Sequence, residues 1–181
     1  MTLPTTWTTE RLYIADTVAD DLVELQQIYE ECNYIAHWSG YADEPTAGAI
    51  EHLFRQGDLP PGGKRENYRL QTVKTQADDR TIAWLDLYFG YPTPEIVWIG
   101  TLEVRPDCQG RGYGREIERG LASRCDRRRY DALRLKVALK NWPALRFWLR
   151  CGYDRVLQYL GDGILAADHY AFLELEKTLK T

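Results

Sequence analysis

The amino-acid sequence predicts one α/β (α+β) domain over residues 1–181, built on a central, mixed and mostly antiparallel sheet with helices on both faces. The length of 181 residues suits one domain with a hydrophobic core of its own. Hydrophobic residues make up 44% of the chain and charged residues 28%, which is typical of a globular domain. Segments with strand and helix periodicity follow one another in the order β-α-α-β-β-β-α-β-α-β-β, which indicates helices packed on a sheet.

The first half of the chain predicts four strands and two helices. Alternation of apolar and polar residues predicts the strands, and apolar residues at helical spacing after acidic N-cap residues predict the helices. The expected elements are a strand over Arg11–Val18, a helix opened by Asp20 and Asp21, a helix capped by Asp43 with Pro45 near its first turn, and strands over Tyr68–Val73, Thr81–Phe89 and Ile96–Val104.

The second half predicts two further helices and three strands. Ile117, Leu121 and Cys125 recur every four residues, which favours one apolar helix face. The expected elements are a helix from about Gly112 to Arg128, a strand marked by Leu133, Leu135 and Val137, a helix over Trp142–Arg150, and strands over Val156–Leu160 and His169–Leu175.

Cysteine and histidine usage argues against several classes of protein. The four cysteines are widely separated and the three histidines show no metal-ligand spacing, so we expect reduced thiols and no metal site. Apolar runs are only a few residues long, and the first residues lack the basic and apolar regions of a secretory signal. The sequence therefore predicts a cytoplasmic protein without a membrane partner.

The charge distribution is uneven. The formal net charge is −4, which argues against bulk binding of nucleic acid. The segment from Arg105 to Lys136 nevertheless carries a local charge of +5, and the remainder carries −9. A basic island in an acidic chain suggests a small anionic ligand, and a solvated helix face is the alternative interpretation.

A glycine-rich turn follows the strand that ends at Val104. Pro106 ends the strand, and Gly110, Gly112 and Gly114 lead into a helix. Glycines leave the backbone accessible, and the free first-turn N–H groups of a helix attract anions, so the turn predicts a pyrophosphate cradle with basic side chains at its rim. No Gly-Lys-Ser/Thr sequence follows, and the even glycine spacing differs from the dinucleotide fingerprint. A flexible turn without a ligand is the alternative.

A second run predicts a groove beside this cradle. Asn141, Ala144, Leu145 and Trp148 fall on one face of a helix that Gly152 ends. An amide, a small residue and a large aromatic side chain on one face suit an elongated ligand.

Together the two runs resemble the GNAT acetyltransferase superfamily. Gln109-Gly110-Arg111-Gly112-Tyr113-Gly114 is similar to its Gln/Arg-x-x-Gly-x-Gly/Ala signature, and Asn141 to Tyr153 is similar to its Asn-x-x-Ala-x-x-Phe-aromatic-x-x-x-Gly-Phe/Tyr signature. The motifs span Leu102 to Tyr153, and the order of elements agrees across the chain.

The resemblance implies acetyl-CoA as cosubstrate, no metal, and a cleft between two splayed strands, Ile96–Val104 and Leu133–Leu139. The pantetheine arm would pair with the backbone of Leu102 and Val104, and the pyrophosphate would lie on the backbone amides of the turn. The implied coenzyme-binding residues are Leu102, Val104, Gln109, Gly110, Arg111, Gly112, Tyr113, Gly114, Arg115, Asn141, Ala144 and Trp148.

The resemblance also implies N-acetylation of a primary amine by direct attack on the thioester in a ternary complex. Glu103 is the candidate general base because it ends the strand beside the expected thioester, with Glu95 and Asp86 as weaker candidates. The oxyanion donor would be a backbone N–H near Val104. Trp148 stands where many members carry the tyrosine that acts as general acid, which leaves that role to another tyrosine or to solvent.

The resemblance implies an acceptor that is either a small-molecule amine or a peptide amine. An aromatic and acidic wall would suit a cation, although its aromatic members could instead belong to the core. The residues of this wall are Tyr34, His37, Trp38, Tyr41, Asp43 and Glu44. A non-catalytic acyl-CoA-binding module and a nucleotide-binding protein are the competing functions, and the terminal strands could mediate a homodimer.

Overall fold

The computed structural model describes residues 3–40, 46–164 and 166–180 of the chain. These residues form strands β1 (Thr6–Thr8), β2 (Leu12–Asp16), β3 (Tyr68–Thr75), β4 (Thr81–Phe89), β5 (Ile96–Val104), β6 (Ala132–Ala138), β7 (Arg155–Gly161) and β8 (Ala171–Thr178). They also form helices α1 (Leu22–Cys32), α2 (Ala36–Ser39), α3 (Ala49–Arg55), α4 (Tyr113–Arg124) and α5 (Trp142–Arg150).

The strands form one sheet in the order β1-β2-β3-β4-β5-β6-β8-β7. Six of the seven neighbouring pairs are antiparallel, and β5 and β6 are the parallel pair. This confirms the predicted mixed, mostly antiparallel sheet. The parallel pair lies in the interior of the sheet, next to the cradle and the groove that the sequence predicts.

Each face of the sheet packs against its own helices. Leu25 and Ile28 of α1 and Ile50 of α3 form one core cluster with Trp84 and Tyr88 of the central strand β4. The other core cluster joins apolar residues of α4 and α5 to the opposite face of the sheet, among them Ile117, Leu121, Leu145, Leu85 and Leu133. All nine residues of β4 are buried, because helices cover this strand on both sides. The prediction of helices on both faces is confirmed.

Several element bounds differ from those predicted. The strand β1 and the helix α2 have only three and four residues, too few to show a periodic pattern, and the sequence did not predict them. Helix α4 ends at Arg124 rather than Arg128 because the backbone of Cys125 is extended. A turn follows, in which the carbonyl of Asp126 accepts the backbone N–H groups of Arg129 and Tyr130. Helix α3 begins at Ala49, and the predicted cap Asp43 and Pro45 lie outside the described residues.

Among the described residues, no helix combines the length and the apolar character that crossing a bilayer requires. No group of three or more His, Cys, Asp or Glu side chains in that part of the chain could hold a metal ion.

Candidate active site

The site begins where β5 and β6 separate. Their parallel pairing runs from Ile96 opposite Ala132 to Ile99 opposite Leu135, although both strands continue beyond this point. A cavity of about 700 Å³ opens between the diverging halves. The splayed strands that the family resemblance implies are therefore present.

This cavity reaches from one face of the sheet to the other. Tyr29 of α1 contributes to it on one side, and Asn141, Ala144 and Trp148 contribute from the region of α5. Strand β5 supplies consecutive lining residues, which are Ile99, Gly100, Thr101, Leu102 and Glu103. Five predicted site residues thus line one cavity, and these are Leu102, Glu103, Asn141, Ala144 and Trp148.

The end of β5 presents backbone groups toward the cavity. The N–H of Arg105 donates to the carbonyl of Ile82, a residue of β4, at 2.8 Å. Because backbone polar groups alternate along a strand, those of Leu102 and Val104 point away from β4 and toward the side where β6 has diverged. The carbonyl of Val104 already accepts the side-chain amide of Gln109 at 2.9 Å, so Gln109 joins the glycine turn to the end of β5.

The glycine turn leaves backbone donors free at the start of α4. Gly110 and Gly112 have φ angles of +73° and +85°, which favour glycine. Gly112 is the N-cap of α4 and no side chain caps this helix. In the described residues, the N–H groups of residues 113–115 have no backbone acceptor. Unpaired first-turn amides on a twelve-residue helix are typical of an anion-binding site.

The third glycine has a different function. A Cβ at Gly114 would lie 3.3 Å from the Phe147 ring, so this glycine allows α4 to approach α5 closely. Arg111 and Arg115 are exposed at the start of α4, as expected for the rim of a cradle.

Arg11, which the sequence analysis missed, braces the turn from the start of β2. Its Nε and Nη1 donate to Glu116 Oε2 at 2.7 Å and to the carbonyl of Arg111 at 3.2 Å. Its guanidinium also lies 4.3 Å from the ring centroid of Tyr113. No local pattern could have indicated this residue, because it is about a hundred positions away from the turn in sequence.

Arg11→Ala should weaken CoA binding about tenfold, because the turn loses its charge-assisted hydrogen bonds. Isothermal titration with CoA measures the effect. Arg55→Ala is the matched control, since Arg55 is an exposed arginine paired with Glu51 on α3. An equal Kd in the two variants would contradict the bracing role.

Asn141 has a structural task as well as its place in the cavity wall. Its Oδ1 accepts the backbone N–H of Ala144 at 3.2 Å, which makes it the N-cap of α5. The Nδ2 group of this side chain remains available to donate a hydrogen bond to a ligand.

Asn141→Ala should lower the free energy of unfolding by about 1 kcal/mol, because the cap is lost. Asn141→Asp keeps the acceptor and should restore stability while still lacking the amide donor. Chemical denaturation and CoA titration of both variants separate the two tasks. If Asn141→Asp is as unstable as Asn141→Ala, the cap is not what Asn141 contributes.

Glu103 is a buried carboxyl in the cavity wall. It is 8% exposed, and its Oε2 accepts the indole N–H of Trp84 at 3.0 Å. Burial, and secondarily the charge of Asp86, raises the pKa of Glu103 to about 8. A carboxyl that titrates near neutral pH suits proton transfer. Glu95, the weaker candidate, is exposed and does not line the cavity.

Trp148 fills the position at which the sequence departs from the family signature. It is buried in the cavity wall, and its ring makes a T-shaped contact with Tyr153 at 5.0 Å. Burial holds the pKa of Tyr153 well above its ordinary value, which makes that hydroxyl a poor acid. Tyr29 is the tyrosine that lines the cavity in the described part of the chain.

The described residues of the predicted aromatic wall do not line the cavity. Tyr34, His37 and Trp38 are not lining residues, and the hydroxyl of Tyr34 instead meets the Gln109 amide at 3.1 Å. The same segment lines the cavity through other residues, which are Asn33, Ile35, Ala36 and Ser39. Tyr41, Asp43 and Glu44 lie outside the described residues. The short helix α2, which the sequence did not predict, decides which side chains face inward.

A family model described as the acetyltransferase (GNAT) family matches residues 22–153. This chain is a GNAT acetyltransferase. The match covers α1 to α5 and both splayed strands, and β1, β2, β7 and β8 extend the same sheet beyond it. A search of curated protein sequences found no match.

Solved GNAT structures share the fold at low sequence identity. An acetyltransferase from Thermus thermophilus is 21% identical, with a TM-score of 0.68 over 98% of this chain and 99% of that one. A chimera built on the Vibrio cholerae spermidine N-acetyltransferase is 18% identical, with a TM-score of 0.68 over 93% and 95%. A ribosomal-protein-alanine N-acetyltransferase from Escherichia coli is 15% identical, with a TM-score of 0.67 over 94% and 95%.

Proposed function

We propose that this GNAT protein transfers the acetyl group of acetyl-CoA to a primary amine by direct attack in a ternary complex. The observation that carries the proposal is a single continuous arrangement of cradle, strand end and buried carboxyl. The glycine turn adjoins the end of β5, and Glu103 lies in the cavity wall one residue before that end.

The residues present fit acetyl-CoA. The turn has free backbone N–H groups at a helix N-terminus and exposed arginines for phosphate, and the splayed half of β5 offers backbone groups to a pantetheine arm. Leu102, Val104 and the amides of residues 110–115 would hold the coenzyme on one side, and Asn141, Ala144 and Trp148 on the other. The predicted contribution of the Gln109 N–H is not available, because this group already donates to the carbonyl of Pro106 at 3.2 Å. When bound, acetyl-CoA supplies the acetyl group as an activated thioester.

The side chains have distinct tasks in this proposal. Glu103, when ionised, accepts the proton that the acceptor ammonium must lose before its nitrogen can attack. A backbone N–H near Val104 donates to the carbonyl oxygen as negative charge develops there. Substrates held together in the cavity react without the entropy cost of an encounter in solution.

The cysteines support direct attack rather than a covalent acyl-enzyme. All four are buried, and none lines the cavity in the described residues. Cys32 approaches the end of β5, but burial raises its pKa to about 12, which leaves almost no thiolate at neutral pH.

Thiol release from acetyl-CoA with a panel of amines tests the proposal, alongside thermal unfolding with acetyl-CoA, CoA and ATP at about 1 mM each. A ligand at about 100 times its Kd stabilises by about 2.7 kcal/mol. We expect both CoA forms to stabilise the protein, ATP to have little effect, and an amine to release CoA. Stabilisation without turnover of any amine would instead support a non-catalytic acyl-CoA-binding module.

A further inference from the structure

A second cavity of about 270 Å³ lies beside the large one. Asp58 and Gly100 line both cavities, so the two adjoin at these residues. The walls of the small cavity combine carboxyl and aromatic side chains, and these are Asp58, Asp86, Tyr88, Tyr91 and Trp98. None of these three aromatic residues is among the coenzyme-binding residues of the proposed function.

A β-bulge forms the border between the cavities. Asp86 pairs with Thr101 and Leu87 pairs with Ile99, which leaves Gly100 without a partner on β4. A Cβ at Gly100 would lie 2.4 Å from Asp86 Oδ2, so a larger residue there would displace the carboxyl. The bulge thus sets the Asp86 carboxyl directly against the backbone of β5.

Asp86 is a buried carboxyl without a positive partner. It is 3% exposed, and its Oδ1 has no hydrogen-bond partner in the described residues. Neither Asp86 nor Asp58 belongs to an ion pair in that part of the chain. Burial first, and then Asp58, raises the pKa of Asp86 to about 7. Hydrogen bonding with Thr101 acts in the opposite direction and lowers this pKa. Because no positive charge in the described residues faces the carboxyl, a cation bound beside Oδ1 would stabilise its ionised form.

The aromatic walls suit a cation as well. Tyr91 and Trp98 make a T-shaped contact at 5.4 Å between ring centroids. The hydroxyl of Tyr88 accepts the N–H of Lys64 at 2.8 Å, which fixes that ring. Aromatic faces and carboxylates together are the groups that recognise ammonium and guanidinium ions.

We propose that the small cavity binds a second, cationic group of the acceptor while its reactive amine lies in the large cavity near Glu103. The acceptor is then a primary amine that carries another ammonium or guanidinium group. This inference rests on the proposed N-acetyltransferase function. Asp86 and Asp58 act as binding residues for the distal cation, with Tyr88, Tyr91 and Trp98 around it.

Matched amines test the inference. The rates of acetylation of 1,4-diaminobutane and 1,6-diaminohexane are compared with those of butylamine and hexylamine, which share the chain but lack the second cation. We expect at least one diamine to exceed its monoamine in kcat/KM by about tenfold or more. Asp58→Asn and Asp86→Asn should each remove most of this preference, measured within each variant as the ratio of diamine to monoamine kcat/KM. Asp58 is exposed, so its variant tests the site even if Asp86→Asn folds poorly.

Asp154→Asn is the control, because Asp154 is an exposed aspartate outside both cavities, and it should keep the preference. Equal kcat/KM values for diamines and monoamines, or equal losses for both in the variants, would overturn the inference and leave the N-acetyltransferase function standing. If no amine is acetylated, the proposed function fails.

In that case, titration of the CoA-saturated protein with the diamines tests the cation site by itself. Diamine binding that both variants weaken supports the cation site, and the absence of diamine binding overturns it.

Discussion

Gly112→Glu should lower the affinity for CoA by about 100-fold or more. Gly112 has a φ of +85° and precedes the free N–H groups of α4. A glutamate there brings strain of about 1–2 kcal/mol and sets a carboxylate where a phosphate would lie. Isothermal titration with CoA measures the loss.

Gly62→Glu is the matched control for this variant. Gly62 also has a positive φ, +71°, and an added Cβ there would meet nothing within 4 Å. It therefore brings the same charge and similar strain to a loop away from the turn. Gly112→Glu binding CoA as tightly as Gly62→Glu would show that the glycine turn is not the coenzyme cradle.

Glu103→Gln should lower kcat/KM by about 100-fold or more, because an amide cannot accept the proton of the ammonium. In the wild type the carboxyl must be ionised to act as a base. Since its pKa is raised to about 8, kcat/KM should increase with pH through this value, and the variant should lack that increase. Asp86 on β4 and Cys32 on α1 face Glu103, and the Glu31–Arg105 ion pair lies beside Cys32.

Stability measurements distinguish a catalytic from a structural role. The pKa of Glu103 rises from 4.5 to about 8 on folding, so the folded wild type binds more protons than the unfolded chain and loses stability as pH increases between these values. Glutamine is uncharged and keeps an acceptor for the Trp84 indole. We therefore expect the variant to unfold at no lower temperature than the wild type at pH 8.5.

Glu95→Gln is the control, because Glu95 is an exposed glutamate next to the start of β5. It should keep wild-type kinetics. Lost stability together with lost activity in Glu103→Gln would assign Glu103 a structural role, and an unchanged pH profile would exclude it as the base.

The local signals in the sequence were strong where an element is long or has a defined boundary. Helix α5 runs from Trp142 to Arg150 as predicted, because Asn141 and Pro143 start it and Gly152 follows its end. Strands β4 and β5 also match their predicted bounds, since runs of β-branched and aromatic residues end at turn residues. The short β1 and α2 carry too few residues to form a pattern.

The sequence alone was sufficient to predict the family, the order of strands and helices that indicates a mixed sheet, and the glycine turn, because these signals lie in residues close together in the chain. Tertiary packing decided the rest. The burial that raises the pKa of Glu103, the brace from Arg11 and the unpaired carboxyl of Asp86 each depend on strands or helices far apart in sequence. Packing likewise placed Tyr34, His37 and Trp38, three members of the predicted aromatic wall, outside the lining of the cavity. The type of a residue indicates which chemistry its side chain could perform. Its protonation state depends on its burial and on neighbouring charges, and the cavity that it faces depends on packing. Both are decided only when distant strands and helices come together in the folded protein.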